Sequence, residues 1–98
     1  MRRATAFYVE ALGAEVAFAA AAWSSLRIAG VRVGLALSPA YAGSRVGLHF
    51  AVDDLAAARA RVERAGGRVL TASVEFAPGV VVAEVADTEG NAFTLNAR

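Results

Sequence analysis

The chain has 98 residues and a mass of 10.1 kDa, is 57% hydrophobic with a mean hydropathy of +0.48, and carries a formal charge of +1. A folded chain of this mass exposes roughly 5,300 Å² against about 14,600 Å² unfolded, enough for one modest core and too little for a second domain or a large cofactor cradle within these residues. With no cysteine there are no disulfides, thiolate metal sites or cysteine nucleophiles. All ten basic residues are Arg, which excludes Schiff-base and P-loop lysine chemistry.

Residues 3–12 place Ala4, Phe7, Tyr8 and Leu12 at helical spacing, and Gly13 follows as a stop. Residues 15–22 are small and apolar; alanine is a weak strand former, but the context favours a strand. Met1-Arg2-Arg3 ahead of the apolar run 16–23 imitates a signal peptide. Glu10 and Glu15 interrupt it, however, and the run spans only eight residues, so neither cleavage nor a membrane span is expected and a cytoplasmic setting is. Residues 23–29 and 31–38 alternate around Gly30 as a hairpin, with Leu26, Ile28, Val33, Leu35 and Leu37 as the apolar set. Residues 39–43 read as a loop.

Residues 45–52 alternate again, with Val46, Leu48, Phe50 and Val52 on one face and Gly47, His49 and Ala51 on the other. Asp53 or Asp54 caps a helix over about 54–65 whose stripe is Leu55, Ala58, Val62 and Ala65, and Gly66-Gly67 ends it. Arg59, Arg61, Arg64 and Arg68 interleave with Ala and Glu63, the pattern of a solvated helix face and not of a nucleic-acid footprint. Strands near 68–76 and 80–86 follow, split by Pro78-Gly79. A turn at Thr88-Glu89-Gly90-Asn91 leads to a last strand at about 92–97.

The order is helix, three strands, strand, helix, three strands, which invites a repeat test. A shift of 53 residues brings Val9-Glu10 onto Val62-Glu63, Leu12-Gly13 onto Ala65-Gly66, Val16 onto Val69 and Ala4 onto Ala57. Two modules result, about 1–38 and 45–98, within one domain over 1–98. In the second, strand 45–52 precedes the helix. The same shift puts its counterpart before residue 1, so the first module is expected to lack its leading strand, and a homodimer or strand exchange is expected to cover the gap.

Arg3-Ala-Thr-Ala-Phe-Tyr-Val-Glu-Ala-Leu-Gly13, Phe50-Ala-Val-Asp-Asp-Leu-Ala-Ala-Ala58, Ala65-Gly66-Gly67 and Asp87-Thr-Glu-Gly-Asn-Ala-Phe-Thr-Leu95 together resemble the vicinal oxygen chelate superfamily. That superfamily includes glyoxalase I, bleomycin-resistance proteins and extradiol dioxygenases. The resemblance covers nearly the whole chain and departs at Thr88, where members usually carry Pro. It implies an α+β fold of two βαβββ modules forming a curved mixed sheet with a concave pocket. Independently of it, Asp87 can close the turn through its side chain and Gly90 can supply a positive φ.

Catalytic members bind one divalent metal through His, Gln and Glu on four strands, the convergent N/O donors such an ion needs. The resemblance places those positions at Ala36, Gly47 and Thr94, the first strand's being absent, and none is a standard ligand, so no metal is expected. His49, two residues from Gly47 on the same face, is the one imidazole; it reads as a pocket-lining or hydrogen-bonded residue ahead of an acid–base group. By alternation the concave face carries Trp23, Ser25, Arg27, Arg32, His49, Glu84, Thr94 and Asn96, an apolar floor with a few polar groups. Arg27 and Glu84, at matching positions in the repeat, read as an ion pair or solvated residues, or as groups orienting a ligand, and Trp23 as rim packing or a stacking surface. The leading expectation is a binding protein for an apolar or aromatic small molecule. The alternatives are a lyase or dioxygenase-type enzyme, with metal donors supplied from upstream residues or a partner, or with His49 and Glu84 as metal-free acid and base, and a non-catalytic dimerising protein.

Overall fold

A computed structural model describes residues 1–36 and 45–97; residues 37–44 and Arg98 lie outside the described residues, as do the side chains at 45–47, 76 and 77. The expected loop at 39–43, Leu37 and the side chain of Val46 fall there. The described elements are α1 (Arg2–Leu12), β1 (Glu15–Ala19), β2 (Trp23–Ile28), β3 (Val31–Ala36), β4 (Arg45–Val52), α2 (Leu55–Arg64), β5 (Arg68–Ala77), β6 (Val80–Ala86) and β7 (Ala92–Ala97). They form an α+β fold with two sheets, β1-β2-β3 and β4-β7-β6-β5. All pairings are antiparallel except β4 with β7, which is parallel.

Local chemistry accounts for each boundary. In α1 the buried residues Ala4, Phe7, Tyr8 and Ala11 form one helical stripe. Gly13, at φ 68, closes the helix, with its N–H on Val9 O at 3.1 Å and that of Ala14 on Tyr8 O at 3.2 Å. The β1 strand is shorter than its apolar run because Ala20 N–H turns back onto Trp23 O at 2.8 Å. Asp54, not Asp53, caps α2, its Oδ1 accepting from Ala57 N–H at 3.0 Å. The β2–β3 turn places Ala29 at φ 51 and Gly30 at φ 81, the left-handed pair of a type I′ hairpin turn.

Both helices pack on the same core. Phe7, Leu26, Val62, Val85, Phe93 and Leu95 are its largest fully buried apolar side chains, so it draws on α1, α2 and both sheets. Phe93 meets Phe7 edge-on at 6.3 Å between ring centres and Phe50 at 5.6 Å. At Gly67 a Cβ would lie 2.6 Å from Phe7 Cε1 and press on the Ala86 carbonyl, so only glycine lets α1 and the start of β5 approach. Two of the four arginines expected on a solvated face are half-buried: Arg59 Nη1 donates to Ala72 O at 2.7 Å and Arg61 Nε to Ala11 O at 3.3 Å. Their guanidiniums satisfy carbonyls on β5 and α1 while the stems cover apolar surface.

One polar contact ties α1 to the second sheet. Asp87, 5% exposed, accepts through Oδ1 from the N–H groups of Glu89 and Asn91, both at 2.9 Å. Its Oδ2 accepts from Tyr8 Oη at 2.6 Å and Asn91 Nδ2 at 3.1 Å. Four donors hold this carboxylate without a cation. Burial, then the bond to Asp87, push the Tyr8 phenol well above its ordinary value. Nearby, Arg3 Nε donates to Glu89 Oε2 at 2.8 Å. No described helix is long and apolar enough to cross a membrane.

Tyr8→Phe removes one donor to a buried charged acceptor and is expected to cost about 2 kcal/mol in urea unfolding, with an unchanged denaturant slope. Hydrogen bonds from Arg3 and then Thr88 hold the Glu89 carboxyl down to about 2. A depressed carboxyl contributes stability that is present above its unfolded value near 4.5 and is lost as pH falls toward 2. Since the pair is 72% and 34% exposed, solvent screening keeps the contribution small. Arg3→Gln is expected to lower stability slightly at pH 6 and to flatten its decline between pH 5 and 2, as read by denaturation at a series of pH values.

Candidate functional site

The strands that bury Leu26, Ile28, Phe93 and Leu95 against the helices turn their alternate residues the other way. In the first sheet that outer face carries three cross-strand pairs, Trp23 with Ala36, Ser25 with Gly34, and Arg27 with Arg32. The edge strand β1 adds Phe18 opposite Ser25 and Glu15 opposite Arg27. In the second sheet a row runs His49, Thr94, Glu84, Thr71 across four strands, and the next row runs Ala51, Asn96, Val82, Val74. All eight residues expected on one face thus lie opposite the helices, in two groups of four on separate sheets.

Trp23 has the most distinctive setting. Its ring lies against Gly34, where any Cβ would collide with Cη2 and come within 2.7 Å of Cζ2. The indole therefore lies flat along the sheet instead of standing off it. It nevertheless remains 47% exposed, and Phe18 is 55% exposed. Ser25, between Phe18 and Gly34 in the register, is buried at 8%.

The polar groups are arranged differently from the sequence reading. Register sets Arg27 opposite Glu15 and Arg32, while Glu84 stands in the other sheet between Thr94 and Thr71. His49 and Glu84 share a row but flank Thr94, their backbones roughly 10 Å apart, so an imidazole–carboxylate contact would require both side chains to lean over the threonine. Thr94 and Asn96 are half-buried and His49 is exposed.

The superfamily's metal does not fit these residues. Ala36 and Thr94 offer at most one neutral hydroxyl, and Gly47 lies in the part of β4 whose side chains fall outside the described ones. Among the described residues no three of His, Asp and Glu converge on a point, and a divalent ion needs such a set.

Phe18 and Thr71 join this face although alternation alone does not find them, and Glu15 and Gly34 join it too. A bulge between Val16 and Phe18 puts Val16 opposite Leu26 on the helix side and Phe18 opposite Ser25 on the other. Counting by twos would put both on one face. For Gly34 a signal did exist, since an isolated glycine inside an alternating strand marks a close approach.

The sequence profile of the glyoxalase-like domain matches residues 1–96. No protein of curated function matches the chain. Solved structures do match. A glyoxalase/bleomycin resistance protein/dioxygenase family enzyme from Burkholderia phytofirmans PsJN has a TM-score of 0.80 at 21% identity, covering 98% of this chain and 88% of that one. The genomically encoded fosfomycin resistance protein FosX from Listeria monocytogenes has a TM-score of 0.81 at 16% identity, covering 100% and 84%. A bleomycin-binding protein complexed with bleomycin has a TM-score of 0.67 at 20% identity, covering 97% and 87%. At these identities the likeness is one of fold.

Gly34→Val would drive the indole off its seat. Its expected signature is a red-shifted Trp23 emission and weakened near-ultraviolet circular dichroism. Ala51→Val, on the other sheet, should leave both spectra unchanged.

Proposed function

The chain belongs to the glyoxalase-like domain family of the vicinal oxygen chelate superfamily, and from that premise we propose that it is a binding protein for a planar apolar or aromatic small molecule, held against the sheet face opposite the helices. The supporting observation is Trp23, seated flat on Gly34 yet 47% exposed. An indole already fixed in orientation gives a ligand ring a stacking partner at little further cost in side-chain entropy. Phe18 extends the apolar surface across Ser25, and the polar row on the second sheet supplies hydrogen-bonding groups of the kind that orient a ligand. The fold it shares with a bleomycin-binding protein is consistent with this role.

A metal-free enzyme reading would rest on His49 and Glu84, which Thr94 separates in the register; the binding reading asks for no such contact. A homodimer accompanies the proposal, because β3 and β4 each present an outer edge that no described strand pairs.

Trp23 is the one tryptophan, so its indole N–H resonance reports the site alone. Titration with uncharged naphthalene-, indole- and quinoline-type compounds is expected to shift that resonance saturably. Trp23→Ala should weaken binding, followed by calorimetry, by about tenfold or more. Binding that survives Trp23→Ala unchanged, or a panel that leaves the indole signal still, would overturn the proposal.

A further inference from the structure

We infer that the ligand stacked on Trp23 is an aromatic carboxylate, whose anionic group is taken by Arg32 with Arg27 beside it. This deepens the preceding proposal and rests on its reading of Trp23 as a stacking surface.

One cross-strand pairing in the first sheet costs stability. Arg27 and Arg32 stand directly opposite each other on β2 and β3, and like charges so placed repel. The left-handed turn at Ala29-Gly30, one residue pair beyond, fixes that register. The two arginines are therefore held opposite each other on one face at the end of the hairpin. Both are exposed, and among the described residues neither makes a hydrogen bond or ion pair. Of nearby carboxylates, Glu15 stands opposite Arg27 on its other side. It offsets part of that charge and leaves Arg32, on the outer strand, the less compensated of the two.

Distance and shape then select the ligand. The indole lies over Gly34, which is two residues from Arg32 on the same strand and the same face, about 7 Å along the backbone. An arginine side chain spans that gap. A ring stacked on the indole with a carboxylate at its rim thus presents the anion where the guanidinium fork can take it through two parallel hydrogen bonds. Binding an anion there also relieves the repulsion between Arg27 and Arg32, so ligand charge and protein charge favour the same complex. A cationic ring would meet the same pair unfavourably.

The test is a nuclear magnetic resonance titration of the full chain with naphthoate, naphthylmethanol and naphthylmethylammonium, which share a ring and differ in charge. The Trp23 indole N–H and the Arg27 and Arg32 Nε–H signals are followed. Naphthoate is expected to bind about tenfold more tightly than the alcohol, with the ammonium weakest and the preference shrinking as salt is raised. Arg32→Gln, an exposed edge-strand change, should bring naphthoate down to the level of the alcohol and leave the alcohol unaffected. Arg27→Gln should have the smaller effect. Equal affinities for the three compounds, or an equal loss of all three in Arg32→Gln, would sink the anion assignment while leaving stacking on Trp23 intact. A series in which none of the three moves the indole signal removes the stacking reading, and the anion assignment with it.

Discussion

The bond between Tyr8 and Asp87 is the contact on which the arrangement of the two sheets depends. A carboxylate at 5% exposure with no cation beside it is tolerable only when donors surround it. Three come from its own turn, two backbone N–H groups and the Asn91 amide, and the fourth from α1. The turn leaves Oδ2 with a single amide donor at 3.1 Å, and Tyr8 adds the shorter bond at 2.6 Å, so the buried carboxylate favours α1 docked with Tyr8 in one orientation. Phe7, the next residue, then meets Phe93 on one side and the bare backbone of Gly67 on the other. The helix that covers Leu26 and Ile28 in the first sheet is in this way locked onto the second.

That docking has a consequence for the outer faces. With α1 and α2 both spent on one side, no described helix covers the opposite side of either sheet. This accounts for a hydrophobic fraction of 57% alongside exposed Phe18, Trp23 and Val74. Exposed aromatic surface on a sheet held rigid from behind suits ligand binding. Trp23 sharpens the point, because Gly34 gives up a side chain so that the indole can lie flat. The same superfamily fold elsewhere places metal donors on these strands. Here Ala36 and Thr94 stand where the resemblance implies two of those donors, and the faces carry an indole, hydroxyls and guanidiniums.

The two halves also show how similar local order leads to different surfaces. Arg27 and Glu84 each stand fifth in their strands, β2 and β6. Arg27 lies next to another arginine at a hairpin end, whereas Glu84 lies between two threonines in the middle of a four-stranded sheet. The two sheets therefore offer a cationic, aromatic patch on one side and a hydroxyl-rich row on the other.

Much of the fold was legible in the residues because its signals are local. Helical spacing in 3–12, the Asp54 cap, the glycine stops, the period-two alternation and the Asp87 turn all act within a few residues, and the structure follows each of them. Alternation alone put eight candidate residues on the faces away from the helices. What the sequence could not decide depends on register and on distant partners. One bulge in β1 reverses the face of Phe18. The pairing of Arg27 with Arg32 instead of Glu84 is set by which strands are neighbours. The Tyr8–Asp87 bond spans 79 residues, and no periodicity encodes it. Secondary structure here is written in short-range stereochemistry, whereas which side chains become neighbours is settled only by strand register and by the packing of α1 between the sheets.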